Sequence, residues 1–281
     1  MRSANRFAPE EIRLMTINKK TWLESFPPDN LPDFPCPHCG KLTLVLDQKS
    51  VTTDEPAYSK ANHADENFDV DWVEERFIAF LKCSVTTCGE TVAVSGRVVV
   101  EPAYDDDGST KYVGMLEPRS MYPAPPIITL SKNTPGAVAN ELALAFQFYW
   151  GDFGACATKI RTSVERLMDH FKAPRYRRAK DPKKPTAPGK LKQLDLSTRI
   201  DKFISATGNV VHRDHLHALR VVGNLGTHDN VLKRSEILDA FEVYEHALSE
   251  LIDKKSAVIA RTAKKLQKKA GKKKKKNPWA F

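Results

Sequence analysis

Two short cysteine pairs constrain this chain more than any other feature of it. They are Cys36-Pro37-His38-Cys39 and Cys83-Ser84-Val85-Thr86-Thr87-Cys88, each followed directly by a glycine, Gly40 and Gly89. In a reducing compartment, cysteines paired at such short spacing read as a metal site rather than a disulfide framework. The thiolates of one knuckle occupy two corners of a tetrahedron, and the second knuckle closes it. Four sulfurs leave no open position for water, so Cys36, Cys39, Cys83 and Cys88 are expected to hold a structural Zn²⁺. The alternative is four reduced, unligated thiols, one pair of them redox-active. Cys156, far downstream in a helical pattern, reads as a buried small apolar residue.

The pattern around the cysteines is β. Residues 42–46 follow the first knuckle, 77–81 lead into the second, and the β-branched run 91–100 leaves it, bounded by Gly89 and Pro102. This predicts a small zinc-ribbon-like β module of three short strands within residues 1–117, with one further strand at 112–115. Residues 48–71, polar and acidic, read as a surface insertion or a ragged loop. Four prolines, Pro118, Pro123, Pro125 and Pro126, keep the backbone extended and mark a linker over 118–133.

Past the linker the chain reads as helix, so the expected fold class is α+β, with an all-α bundle over 134–253. Thr134 is a candidate N-cap with Pro135 at the first helical position. Cys156, Ile160, Val164, Leu167, Met168 and Phe171 recur at spacings of four and three on a second helix. Shorter helices are expected over 198–206 and 214–220. A last one from near Ser235 aligns Ile237, Phe241, Tyr244, Leu248, Leu251 and Ile252.

Charge is distributed unevenly. The last 28 residues, 254–281, carry eleven Lys, one Arg and no acid, so the net +9 of the whole chain becomes −3 for the other 253 residues. The folded body therefore has no global attraction for polyanions. The cationic character sits in that tail, helical at first and disordered after Gly271, and in a flexible loop over 172–190. Candidate phosphate contacts are Arg175, Arg177, Arg178, Lys183 and Lys184 in the loop, and Lys272, Lys273, Lys274, Lys275 and Lys276 in the tail. Tyr176 and Trp279 supply aromatic faces for stacking on bases. With 41% hydrophobic residues, no stretch of membrane-spanning length and no apolar leader at the N-terminus, the expectation is a cytoplasmic protein without membrane contact.

The helical half carries four features in order: the Tyr122-Pro123-Ala124-Pro125-Pro126 entry; A-C-A-T-K-I-R-T-S-V-E-R at 155–166; the 194–204 stretch; and L-R-V-V-G-N-L-G-T-H at 219–228. On these it resembles the bacterial family known as domain of unknown function 4145, over about residues 118–252, with R-x-x-G-N-x-x-x-H as the most specific piece. That family is similar to the HEPN superfamily, helical bundles that include metal-independent ribonucleases of toxin, antiphage and CRISPR systems. The resemblance implies a HEPN-like bundle completed as a homodimer. It also implies an RNA-directed effector or adaptor in bacterial antiphage defence or a toxin-type system, or else a non-catalytic protein-interaction module, or an active endoribonuclease. The superfamily signature pairs an Arg with a His; here Arg220 and His228 have seven residues between them, one more than the usual window.

If 220–228 is helical, Arg220, Asn224 and His228 form one drifting polar stripe, with His217 close by. An Arg on a phosphate, an amide to orient it and a His to move a proton would suit RNA cleavage through the 2′-hydroxyl. The competing reading is packing, because Gly223 and Gly226 each cost about 1 kcal/mol in a helix interior and call for a close helix–helix approach. Arg161 and Glu165 are spaced for a surface pair, with a helper role beside Arg220 as the alternative. His212 and His215 read as exposed polar residues, since no suitably spaced Cys or carboxylate set surrounds them.

Overall fold

A computed structural model of the chain describes residues 17–23, 25–29, 32–104, 108–179, 189–226 and 232–274. In chain order the described elements are α1 (Lys19–Leu23), β1 (Phe34–Pro35), β2 (Leu42–Leu46), β3 (Thr52–Asp54), α2 (Ala57–Asn62), β4 (Glu75–Cys83), β5 (Thr91–Tyr104) and β6 (Thr110–Tyr122). The helical half follows: α3 (Gly136–Phe148), α4 (Phe153–His170), a ribbon of β7 (Tyr176–Ala179) and β8 (Lys190–Gln193), then α5 (Leu196–Thr207), α6 (Arg213–Leu225), α7 (Arg234–Leu251) and α8 (Lys255–Lys274).

The N-terminal half is a six-stranded antiparallel sheet in the order β1-β2-β4-β5-β6, with β3 also paired to β4. This is larger than the three short strands expected around a metal. Strict alternation makes it one-sided: along β4, Phe77, Ala79, Leu81 and Cys83 are buried while Arg76, Ile78, Phe80 and Lys82 face out. The strand expected at 112–115 runs instead from Thr110 to Tyr122, passing through Pro118. Proline is tolerated there because β6 is an edge strand and Pro118 lies at a bulge opposite Gly96. A Cβ on Gly96 would stand 2.1 Å from the Glu117 carbonyl oxygen, so only glycine lets the strands close at this point. Residues 48–71 are mostly exposed, as a surface insertion is, but they carry regular structure rather than a ragged loop. Ser59, fully buried, donates to Glu55 and accepts from the Glu74 backbone N–H, while Asp47 and Asp69 cap short 3₁₀ turns.

In the helical half, the α4 stripe is buried as its periodicity requires, including Cys156, Ile160, Val164, Leu167 and Met168. Asp152 caps α4 through the Ala155 N–H at 2.8 Å, Asp195 caps α5 through Thr198 at 2.7 Å, and Gly208 (φ 72°) ends α5. The two short helices are longer than expected, 12 residues for α5 and 13 for α6. The basic loop is not wholly irregular, because its two ends pair as the β7–β8 ribbon. The C-terminal helix continues through Gly271 to Lys274.

One apolar cluster joins both halves. Trp22 of α1 packs edge-on to Phe34 (5.4 Å between ring centroids) and against Trp150 (5.9 Å), and Phe34 meets Trp150 at 5.8 Å. The Tyr149 hydroxyl donates to the Trp22 carbonyl at 2.5 Å. No helix among the described residues is long and apolar enough to cross a membrane.

Candidate metal centre and cationic cleft

The cysteine knuckles are built by tight turns. In the first, the Gly40 N–H returns to the Cys36 carbonyl and the Cys36 N–H donates to Lys41, both at 2.8 Å. In the second, Gly89 returns to Val85 at 3.1 Å and Cys83 donates to Glu90 at 2.8 Å. Gly40 (φ 71°) and Gly89 (φ 60°) take the left-handed conformation that lets each chain reverse beneath its sulfurs. The sheet then brings the turns together: β2 leaves the first knuckle, β4 enters the second, and their antiparallel register sets Leu44 opposite Cys83. Strand parity aims Cys83 to the buried face.

The result is a four-sulfur cluster with all Sγ atoms within 4.8 Å of one another. Cys36 to Cys88 and Cys39 to Cys83 are each 3.7 Å apart, far too long for a disulfide. A tetrahedral ion with metal–sulfur bonds of about 2.3 Å separates its ligands by about 3.8 Å. The cluster therefore has the dimensions of a closed metal site. Burial pushes the Cys36 thiol up to about 12, whereas the Thr43 hydroxyl, 3.1 Å from the Cys83 sulfur, brings that thiol down to about 7. His38 lies at the rim, its Nδ1 3.4 Å from Cys88 Sγ.

The polar stripe is partly assembled. Arg220 and Asn224 share one face of α6, and with Arg161 of α4 and Asp195, Leu196 and Ser197 at the start of α5 they line a cleft of about 280 Å³. Arg161 pairs with Glu165 at 3.0 Å and also lines the cleft with Arg220. The Nε atoms of Arg161 and Arg220 are buried without a hydrogen-bond partner. Asp195 is held below the usual carboxylate range by the Thr198 N–H and hydroxyl, with the Arg220 charge adding to the effect. Asp195 and Ser197 were not singled out in the sequence; the N-cap pattern before α5 was the only signal for them. His217 does not line the cleft and bonds Asp201 of α5 at 3.1 Å instead. Helix α6 ends at Leu225, and His228 lies outside the described residues.

Gly223 and Gly226, the latter at the C-cap of α6, mark a close approach to α4. A Cβ on Gly223 would stand 2.2 Å from Arg161 Cβ, and one on Gly226 would stand 2.5 Å from the Gly154 carbonyl oxygen. The two glycines thus allow the crossing that brings Arg161 and Arg220 together.

Of the cationic candidates, Arg175 is engaged by Asp169, a bidentate pair that anchors the ribbon to α4. Arg177 and Arg178 stand on β7, with Arg177 directly opposite Lys192 and Tyr176 exposed beside them. Lys272, Lys273 and Lys274 belong to the last turn of α8. Lys183, Lys184, Lys275, Lys276 and Trp279 lie outside the described residues.

Comparison with known proteins gives two matches to family models. Residues 24–121 match one described as Domain of unknown function (DUF8608), and residues 144–273 match Domain of unknown function (DUF4145). The first coincides with the sheet and its cysteine cluster. The second runs from the last part of α3 into α8, further toward the C-terminus than residue 252, where the sequence resemblance ends. No curated protein and no solved structure matches the chain.

Proposed function

We propose that this protein is a cytoplasmic, RNA-directed effector or adaptor with a HEPN-like bundle, acting in bacterial antiphage defence or a toxin-type system. Its β module is fixed by a structural Zn²⁺ on Cys36, Cys39, Cys83 and Cys88. The observation that carries the nucleic-acid reading is the exposed β7–β8 ribbon, where Arg177 stands directly opposite Lys192. Like charges directly opposite one another destabilise a strand pair. A phosphate lying across them turns that repulsion into attraction, and the opposite face of the ribbon offers the exposed Tyr176 ring for stacking, with Arg178 two positions along. The ribbon leads through Leu194 straight to Asp195 at the mouth of the Arg161–Arg220 cleft, so a strand bound on the ribbon can place a phosphate against two guanidiniums. The exposed Lys-rich α8 adds sequence-indifferent attraction. A homodimer through the bundle belongs to the same reading.

The test is binding of a labelled single-stranded RNA to the full chain as a function of salt. Each phosphate contact contributes a slope of about −0.7 in log affinity against log salt. Replacing Arg177 and Lys192 together by Ala should lower the magnitude of the slope by about 1.4 units. Truncation after Asp253 should lower it by several, and Arg220→Ala should weaken binding without unfolding the chain. Absence of binding at low salt, or slopes unchanged in both basic-segment variants, would reject the proposal. Scoring cleavage of the same RNA with and without His228→Ala separates an effector from an adaptor.

A further inference from the structure

Three histidines from different parts of the bundle converge outside the cleft. His212 closes the 3₁₀ turn Val210–His212 and caps α6, His215 lies in the first turn of α6, and His246 stands on α7. Their coordinating nitrogens all lie within 4.8 Å of one another. The ring centroids are 5.5 Å apart for His212 and His215, 5.8 Å for His212 and His246, and 5.3 Å for His215 and His246. In the sequence, His212 and His215 read as exposed polar residues because no ligand set stands near them. The fold corrects this by half-burying both and bringing in His246 from 31 positions beyond His215.

The separation within the trio fits a metal ion as well as a direct imidazole–imidazole hydrogen bond. His212 Nδ1 and His215 Nδ1 are 3.3 Å apart. A tetrahedral ion with metal–nitrogen bonds of about 2.0–2.1 Å separates its ligands by about 3.3–3.4 Å. Burial first, and then the neighbouring histidines, hold His212 and His215 below the usual imidazole value. Around them, Glu250 acts on His212 and Asp214 on His215, placing negative charge where a cation would gain from it. The Glu250 carboxylate is itself occupied by the Ser256 N–H and hydroxyl, at 3.1 and 2.8 Å, and so is not counted as a ligand.

We propose that His212, His215 and His246 form a second metal site, for a divalent transition-metal ion of the zinc class. Three imidazole nitrogens and no thiolate favour Zn²⁺, Ni²⁺, Co²⁺ or Cu²⁺ over Cu(I). Three protein ligands leave a fourth position for water or an incoming ligand, unlike the closed cysteine cluster. The ion would tie the start of α6 to α7. Arg220 is five positions beyond His215, a turn of roughly 140° about the helix axis, so the site lies on a different face of α6 from the cleft. It stands independently of the nucleic-acid reading.

The experiment uses the full chain without a polyhistidine tag, equilibrated in a buffer of fixed micromolar free Zn²⁺ and analysed for bound metal. His246 is exposed, so His246→Ala leaves the core intact; His215→Ala serves as the second variant, and circular dichroism checks both. The expected result is one fewer zinc ion per chain in each variant than in the wild type. The difference carries the test, whatever the cysteine cluster contributes to the total. In a parallel Co²⁺ titration the thiolate charge-transfer absorption should be identical in wild type and variants, with weaker visible bands lost only in the variants. Raising free Zn²⁺ should raise the melting temperature of the wild type more than that of His246→Ala. Equal zinc content in the wild type and both folded variants, with equal melting shifts, would overturn the proposal.

Discussion

Replacing Gly223 by Ala tests whether the α4–α6 crossing is as close as the geometry requires. The added methyl would sit 2.2 Å from Arg161 Cβ and 3.0 Å from both the Ala157 carbonyl oxygen and Arg161 Cδ. Carbon atoms pack at about 3.5–4.0 Å, so the helices must separate by roughly 1.3–1.8 Å at this point. Arg161 Cβ is fixed to its backbone and cannot swing aside. Overpacking of this kind costs about 1–3 kcal/mol, and a Cβ-on-Cβ clash belongs near the top of that range. Against it stands the helix propensity of Ala over Gly, about 0.8–1.0 kcal/mol. The expected net loss is about 2 kcal/mol, or about 4–8 °C in melting temperature for a chain of this size. The assay is urea denaturation followed by helical circular dichroism, with Gly136→Ala as control. Gly136 is exposed at the first position of α3 and an added Cβ there meets nothing within 4 Å, so the control should be neutral to about 1 kcal/mol stabilising. If Gly223→Ala matched its control, the close crossing would be refuted, and with it the account of how Arg161 and Arg220 come to share a cleft.

Asp169→Asn should cost about 3 kcal/mol at pH 7, because the Arg199 side chain, only 8% exposed and 2.5 Å from Asp169, would keep a buried charge without its counter-charge. The Asp169 carboxyl is held below its ordinary value by Arg175 first and Arg199 with it, so its contribution is complete above about pH 4 and is lost as pH falls through the depressed folded value. Denaturant midpoints of wild type and variant should therefore converge toward pH 2; a gap constant from pH 7 to pH 2 would count against this assignment. Stripping metal from the cysteine cluster should loosen the turn beside Phe34, whose ring touches Trp22 and Trp150, and so shift tryptophan emission to the red while lowering the melting temperature. Emission and melting both indifferent to chelation would argue for unligated thiols.

Much of each site was legible in the sequence because it rests on short-range rules. The two knuckles are local turns, and glycine after each second cysteine announces the positive φ that such turns need. The α4 and α7 stripes follow from a 3.6-residue period, and Asp152 and Gly208 punctuate helices where their side chain, or lack of one, requires it. The ends of the basic loop were harder: Tyr176–Ala179 and Lys190–Gln193, half of them cationic, carry no apolar alternation to mark them as β.

The sequence by itself determined that four cysteines would act in pairs, that a β half precedes a helical half, and where positive charge accumulates. Only the tertiary structure decided that the pairs meet at 3.7 Å, through the register of Leu44 against Cys83. It alone seated Trp22 between the two halves, set Arg161 beside Arg220 across a glycine seam, and brought His246 to His212 and His215. The physical reason is the range of the interactions. Turn conformations, caps and amphipathic periods are fixed by residues within a few positions of each other. Which buried faces meet depends on contacts between residues tens of positions apart, made only once the whole core has closed.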